Sequence, residues 1–280
     1  MSSLAVARSF LFAPGSEARK LEKALAAGAD AVIADLEDAV LPDEKERARA
    51  LALDVLAGGG DGCLRLVRVN GHGTPWFDDD LAAVAAAALD AVVLPKASPE
   101  AAARAASTGL PVVAIVETAG GLRRAFELAA TPGVAVLVLG AVDLGLELGL
   151  EARADGLELL HARSALVVDA AAAGARPPVD RVWLDVRDLV GLERDCALAR
   201  SLGLRGKACI HPDQVAVVNA AFLPSDDEIE RARAVVAAFE QAATEGRGAV
   251  ALDGEMIDLP VVEQARRVLA EAKRSVLHVE

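Results

Sequence analysis

The stretch AVIADLED at residues 31–38 joins a short run of apolar residues to three carboxylates, Asp35, Glu37 and Asp38. Four other segments repeat this arrangement of an apolar run followed by a functional side chain: LVRVNG with Arg68, AVVLPK with Lys96, PVVAIVE with Glu117 and AVLVLGAVD with Asp143. Apolar runs without polar alternation are typical of parallel strands that are buried on both faces. The pattern therefore predicts a parallel α/β protein whose functional groups gather where its strands end.

The alternation of strands and helices predicts an α/β fold, the (β/α)8 TIM barrel, with the active site at the C-terminal ends of the strands. This barrel would be a catalytic domain at residues 1–224. The predicted strands are 8–14, 31–37, 64–69, 91–95, 111–117, 135–140, a weaker seventh strand around 178–186, and 206–212.

Residues 225–280 are predicted to form a separate C-terminal extension of helices and a hairpin. A long capped helix comes first, a hairpin turns around Asp253-Gly254, and a second helix follows. A closed barrel has no room for these elements. We therefore expect them to act as a lid that packs on the outside of the barrel or over a neighbouring subunit.

Composition excludes several classes of protein. The net charge of -13 argues against a nucleic-acid partner, because phosphate binding needs a basic surface. No apolar run approaches the roughly 18–20 residues of a membrane span. Arg8 interrupts the apolar N-terminus, which argues against a signal peptide and favours a cytoplasmic protein. The three cysteines are widely spaced and favour neither a disulfide framework nor a zinc site.

The polar residues at the strand ends favour a site for a hard cation. Glu117 and Asp143 are oxygen ligands of the kind that Mg²⁺ prefers, although each could instead cap the helix that follows it. Arg68 could form a structural ion pair or bind a carboxylate or carbonyl oxygen with two donors. The dense acidic corner of residues 35–38 must contact cationic groups or metal-bound water, because unpaired like charges repel.

Other basic residues leave alternatives open. Lys96 could form a Schiff base, lie near an anionic substrate, or be a solvated lysine at a strand end. Arg19 and Lys20 could contact phosphates or belong to an exposed helix face. The sequence has no Ser-His-Asp order, Walker loop or Rossmann glycine motif, so serine hydrolases, P-loop ATPases and Rossmann dehydrogenases are not favoured.

Taken together, the motifs resemble the citrate lyase β-subunit-like branch of the HpcH/HpaI aldolase superfamily. The matching segments span nearly the whole chain in the order of the family: RSFLFAPG, GADAVIADLEDAVLPDEK, VRVNGHGTPWF, VVLPKA, AIVETAGGL, LGAVDLGLELG, GKACIHPDQVAVVN and DGEMIDLP. The resemblance implies a Mg²⁺-dependent barrel, usually a trimer or hexamer, that cleaves or forms a carbon–carbon bond in a 3-hydroxy-acid thioester.

The resemblance also implies roles for individual residues. Glu117 and Asp143 match the metal ligands, and Arg68 matches the residue that holds the keto-acid oxygen. Two further roles follow. The acidic pair Glu37 and Asp38 would order metal-bound water and the arginine, and Asp258 would be an acid/base that a neighbouring subunit lends to the site.

The activity implied is cleavage of a citramalyl-, malyl- or citryl-type CoA thioester to acetyl-CoA and a keto acid. CoA would enter as part of the substrate, with Arg19 and Lys20 as candidate contacts. One departure from the family is Val142, where many relatives have an acidic residue beside the metal-binding aspartate. The alternatives are a malate-synthase-like or thioesterase activity, an aldolase on a free hydroxy-keto acid, and the β subunit of a citrate lyase complex that uses a carrier protein. Because the metal would supply the electrophile, we do not expect a Schiff base on Lys96.

Overall fold

The computed structural model describes residues 4–59 and 62–276, without the side chains of 274–276. Its strands in the first part of the chain are β1 Ser9–Pro14, β2 Ala31–Asp35, β3 Leu64–Arg68, β4 Ala91–Leu94, β5 Val112–Val116, β6 Val134–Leu139 and β7 Lys207–Cys209. They form one parallel sheet in the order β6-β5-β4-β3-β2-β1-β7. The predicted TIM-barrel fold is confirmed, with a ring of parallel strands that is nearly closed.

Helices follow the strands and cover the outside of this ring. They are α1 Ala18–Leu25, α2 Lys45–Ala57, α3 Phe77–Ala85, α4 Pro99–Ala106, α5 Ala119–Arg123, α6 Ala125–Ala129, α7 Ala141–Leu148, α8 Leu160–Ala172, α9 Leu189–Ser201 and α10 Pro212–Ala221. Short 3-10 turns precede α2 and α8 at Pro42–Glu44 and Leu157–Leu159.

Strand β2 shows why the apolar runs have no alternation. Successive side chains of a strand point to opposite faces. Ala31 and Ile33 belong to the core inside the ring, whereas Val32 and Ala34 pack in the layer between the strands and the helices. Both faces are therefore buried, and an unbroken apolar run is the sequence that this position requires.

The predicted seventh strand around 178–186 is wrong in its extent. Only two of its residues pair with the sheet: Val179 bridges Val138 of β6, and Asp180 bridges Lys207 of β7. Pro177 and Pro178 precede the bridge and have no amide hydrogen to donate to a ladder. These two bridging residues connect the edges of the seven-stranded sheet without a strand of regular length.

A network of buried ion pairs surrounds the bridging residue Asp180. Its carboxylate accepts two bonds of 2.8 Å from Arg163 of α8 and one of 2.6 Å from Lys207 Nζ. Asp195 of α9 accepts from the same two cations, at 2.8 Å from Arg163 and 2.5 Å from Lys207. The network therefore ties two outer helices to the part of the ring where the strand ladder is shortest.

The chain divides into two units, Met1–Phe222 and Leu223–Glu280. The second unit contains α11 Asp226–Thr244, β8 Val250–Leu252, β9 Glu255–Ile257 and α12 Leu259–Val276. Strands β8 and β9 form the predicted antiparallel hairpin, and its turn residues Asp253 and Gly254 have φ of 51° and 84°. Two positive φ angles are the geometry for which Asp-Gly is favoured. The role of this unit as a lid stays a prediction.

Within the described residues, no helix combines the length and the apolar character that crossing a membrane requires. The helix with the most described residues is α11, which begins with Asp226, Asp227 and Glu228. Its N-cap Ser225 and Glu228 form a reciprocal capping box, as the sequence predicts.

The buried network gives a prediction about stability. Asp180→Asn removes one charge and leaves Arg163 and Lys207 buried with too little negative charge, so we expect a loss of about 3–5 kcal/mol in the free energy of unfolding. The matched control is Asp78→Asn, in an exposed ion pair with Arg104, for which we expect a loss below about 1 kcal/mol. Urea denaturation measures both. Equal losses in the two variants would contradict the structural role of the network.

Candidate active site

The predicted functional residues that follow the strands of the first unit lie together at the C-terminal ends of those strands. Asp35 and Arg68 end β2 and β3, Lys96 and Glu117 follow β4 and β5, and Asp143 lies in the first turn of α7. A cavity of about 350 Å³ opens at this end. Its lining includes the polar residues Asp35, Arg68, Glu117 and Asp143 and the apolar residues Phe12, Val142, Val182 and Ile210.

Arg68 is anchored by a bidentate ion pair with Asp35. Nε donates to Oδ1 and Nη2 donates to Oδ2, both at 2.7 Å. The same carboxylate accepts backbone N–H bonds from Glu37 at 2.9 Å and Ala39 at 3.2 Å. Burial by itself lowers the pKa of Arg68, but the hydrogen bonds and charge of Asp35 raise it above its usual value. Asp35 therefore fixes both the arginine and the loop that follows β2.

The other two carboxylates of the acidic corner share the far side of this guanidinium. Arg68 Nη1 lies 3.0 Å from Glu37 Oε2 and 3.3 Å from Asp38 Oδ2. Burial raises the pKa of Glu37, while the charge of Arg68 lowers it. The expectation that this dense group of acids contacts a cation is confirmed.

Lys96 contacts three carboxylates, although its side chain is 45% exposed. Its ammonium lies 2.8 Å from Glu37 Oε1, 3.3 Å from Asp143 Oδ2 and 3.9 Å from Glu117 Oε1. Its backbone N–H also donates to Glu117 Oε1 at 2.7 Å. The residue has a φ of 46°, which is uncommon for a side chain other than glycine.

Glu117 is buried, with 5% of its surface exposed. Its pKa is raised to about 7, because burial and the charge of Glu37 raise it by more than the hydrogen bond from the Lys96 backbone lowers it. A metal cation bound to this buried acid would stabilise its ionised form and lower its pKa.

The donor atoms fit Mg²⁺. Glu117 and Asp143 offer carboxylate oxygens, and both lie within 4 Å of the same ammonium group, so a cation between them is within reach of each. Among residues 4–59 and 62–276, no three acidic, histidine or cysteine side chains form a complete metal cage. Mg²⁺ needs none, because it is usually held by one or two carboxylates and completes its shell with water and substrate.

Several supporting residues were not found from the sequence. Lys45 donates to the carbonyls of Leu36 at 2.7 Å and Glu37 at 2.6 Å, and these two bonds fix the backbone of the acidic loop. Asp80 accepts from the backbone and side chain of Asn70, just after Arg68, at 2.8 Å and 2.7 Å. The DEK sequence at residues 43–45 predicts only the start of a helix. Nothing in this pattern predicts that Lys45 contacts the two carbonyls.

Gly140 is a further residue that the sequence analysis missed. A Cβ atom at this position would lie 2.4 Å from Glu117 Cβ and 2.7 Å from its Oε2. Its φ of -89° is ordinary, so the constraint is space and not backbone conformation. The sequence could have indicated a role for Gly140, because this glycine lies between the apolar run of β6 and the candidate ligand Asp143.

Three further site residues were predicted from the sequence. Arg19 and Lys20 are exposed on α1, and Lys20 pairs with Glu17 at 2.7 Å. Asp258 belongs to the second unit, where it precedes α12 and accepts a bond of 3.4 Å from the backbone N–H of Val261. This contact is that of a helix cap. The functional roles of these residues stay predictions.

Comparisons with known proteins point to one family. The profile described as "HpcH/HpaI aldolase/citrate lyase" matches residues 8–212, and the profile "C-C_Bond_Lyase of the TIM-Barrel fold" matches 160–274. The (3S)-malyl-CoA thioesterase of Cereibacter sphaeroides strain KD131 is 43% identical over 95% of this chain and 94% of its own length. The citrate lyase subunit beta of Escherichia coli K12 is 35% identical, covering 98% and 95%.

A solved structure resembles nearly the whole chain. It is CitE from Mycobacterium tuberculosis in complex with magnesium, acetoacetate and coenzyme A, with a TM-score of 0.85 and 38% identity. The alignment covers 96% of this chain and 100% of that one. Another structure of CitE, in complex with magnesium and pyruvate, has a TM-score of 0.71 over 80% of this chain.

The crowding at Gly140 gives a second prediction. Gly140→Ala places a methyl group against Glu117, so we expect a loss of about 1–3 kcal/mol in the free energy of unfolding, as for other overpacked sites. Gly145→Ala, in the same helix region, is the matched control, because its Cβ would meet only Leu150 Cβ at 4.0 Å. Thermal and urea unfolding measure both variants. A Gly140→Ala protein as stable as Gly145→Ala would show that Glu117 can move freely.

Proposed function

Since the chain belongs to the HpcH/HpaI aldolase/citrate lyase family, we propose that it is a Mg²⁺-dependent lyase acting on a malyl-, citramalyl- or citryl-type CoA thioester. The products would be acetyl-CoA and a keto acid. The observation that carries the proposal is the convergence of Glu117, Asp143 and Arg68 on one cavity at the C-terminal ends of the strands. Support comes from the similar CitE structure, which holds magnesium, acetoacetate and coenzyme A.

Glu117 and Asp143 are the residues that would hold Mg²⁺. When bound there, the metal supplies Lewis-acid polarisation of the hydroxyl and carboxylate oxygens of the substrate. The burial of Glu117 excludes water from one side of this position. The cavity is partly lined by apolar side chains such as Phe12 and Ile115, which strengthens electrostatic interactions inside it.

Arg68 would bind the oxygen that becomes the ketone. A guanidinium has five N–H donors. Asp35 takes two of them, and Glu37 and Asp38 lie against Nη1. The remaining N–H of Nη2 is the donor we assign to the substrate oxygen. Three carboxylates hold the group in one orientation, so this donor is fixed before the substrate arrives.

The cleavage breaks the bond between the α-carbon of the thioester and the carbon that bears the hydroxyl group. The hydroxyl proton passes to solvent, its oxygen becomes the carbonyl oxygen of the oxo acid, and the bond electrons pass to the α-carbon as an enolate of acetyl-CoA. That carbon must then gain a proton. We propose Asp258 as the donor, supplied by a neighbouring chain in a trimer or hexamer, and Arg19 and Lys20 as contacts of the CoA phosphates.

Hydrolysis of the thioester is the second candidate. It is favoured by the 43% identity to (3S)-malyl-CoA thioesterase over 95% of this chain. Here water attacks the thioester carbonyl, free CoA leaves, and the hydroxy acid keeps its carbon skeleton. The resemblance to the citrate lyase subunit beta of Escherichia coli supports a further alternative, in which the substrate is a thioester on a carrier protein and not on CoA.

A product assay decides between these activities. Purified protein with malyl-CoA, citramalyl-CoA or citryl-CoA and Mg²⁺ should release acetyl-CoA and a keto acid in equal amounts, and EDTA should stop the reaction. Free CoA together with the hydroxy acid, and no acetyl-CoA, would identify a thioesterase. No product from any of the three esters would contradict both.

A matched pair of variants controls this assay. Arg68→Lys keeps the charge but loses the fork of donors, so we expect kcat/KM to fall by about 100-fold or more. Arg65→Lys makes the same change on the same strand, but its side chain contacts the Leu56 carbonyl and Asp90. We expect it to keep nearly the wild-type rate. If Arg68→Lys kept most of the wild-type kcat/KM, the role of Arg68 would be structural and not catalytic.

A further inference from the structure

The ammonium of Lys96 lies where the candidate metal ligands converge. It is 3.3 Å from Asp143 Oδ2 and 3.9 Å from Glu117 Oε1, the two carboxylates proposed to hold Mg²⁺. Its shortest contact, 2.8 Å, is to Glu37 Oε1. One cation of the chain thus contacts three carboxylates of the site.

The backbone of Lys96 holds this side chain in place. Its φ of 46° lies in the left-handed region, which is unfavourable for residues with a Cβ atom. Two bonds fix the conformation: the N–H of Lys96 donates to Glu117 Oε1 at 2.7 Å, and the N–H of Ala97 donates to the Ile115 carbonyl at 3.0 Å. Backbone strain of this kind often persists at functional sites.

The charges of the site divide between two cations. Arg68 pairs with Asp35, Glu37 and Asp38. Glu117 and Asp143 instead have their ion-pair contacts with Lys96. Among the described residues, Lys96 is the cation that lies within 4 Å of both carboxylates. With Mg²⁺ bound to them, a positive charge would lie beside another positive charge, and the two would repel each other.

We propose that Lys96 is the internal counter-cation of the metal site. Its ammonium balances Glu37, Glu117 and Asp143 before Mg²⁺ arrives, competes with the metal for them, and thereby limits the affinity for Mg²⁺. Lys96 is in this sense a positioning residue that acts through the carboxylates. The inference rests on the proposed metal site, so its test measures metal binding and stability and not turnover.

The first experiment measures the metal-free protein. Lys96→Met removes the charge and keeps an unbranched side chain that is one atom shorter, and Lys96→Arg keeps the charge. In EDTA, we expect Lys96→Met to unfold at a lower temperature than wild type, because the carboxylates repel one another without their cation. Lys96→Arg should stay close to wild type. Lys273→Met, an exposed lysine of α12, controls for the loss of one positive charge from an acidic protein.

The second experiment titrates the same proteins with Mg²⁺ by calorimetry. We expect Lys96→Met to bind Mg²⁺ more tightly by about tenfold or more, since a close like charge is gone. Lys96→Arg and Lys273→Met should bind as wild type does. Addition of Mg²⁺ should also raise the unfolding temperature of Lys96→Met by more than that of wild type.

The outcomes separate this inference from the proposed function. Unchanged or weaker Mg²⁺ binding by Lys96→Met, while wild type binds, would overturn the role of Lys96 and leave the metal site standing. Equal tightening in Lys96→Arg would trace the effect to side-chain shape, which also overturns it. Binding by neither wild type nor Lys96→Met would overturn the metal site, and the inference with it.

Discussion

The bidentate ion pair between Asp35 and Arg68 is the interaction on which the candidate site depends. The two residues face each other in register at the ends of β2 and β3. Their bonds of 2.7 Å tie neighbouring strands together at the end where the cavity opens. Asp35 also receives two backbone N–H groups of the next loop, and Arg68 in turn holds Glu37 and Asp38. One pair thus orders an entire acidic loop that would otherwise repel itself.

The strands that carry this ion pair are buried on both faces, one towards the inside of the barrel and one towards the helices. The inner core of the barrel contains residues such as Phe10 and Ile33, and its outer core contains residues such as Leu11 and Val32. Strand pairing in the ring is shortest at Val179 and Asp180, where two isolated bridges replace a strand. There, fully buried ion pairs replace part of the missing ladder. The charged residues at the C-terminal ends of the strands thus form the candidate site, whereas the buried ion pairs around Asp180 stabilise the barrel itself.

The sequence predicts much of this architecture because buried parallel strands leave unbroken apolar runs, and because the turn at Asp253-Gly254 needs residues that accept positive φ. It also identifies Arg68, Glu117 and Asp143 as neighbours, since strand ends in a barrel meet at one face. Other features depend on distances that no spacing reveals. The sequence does not show that Lys96 contacts three carboxylates, that Gly140 leaves room for Glu117, or that the seventh strand shrinks to two residues.

The central claim is that Glu117 and Asp143 form the metal site that the activity needs. The most direct test is calorimetric titration with Mg²⁺ of wild type, Glu117→Gln and Asp143→Asn, with Asp78→Asn as a surface control. A pH near 8 is suitable, because burial raises the pKa of Glu117 to about 7 and a protonated carboxyl binds metal poorly. The account predicts binding by wild type and the control, and a loss of about 100-fold or more in both site variants while their folds stay intact. Unchanged affinity in both site variants would contradict it.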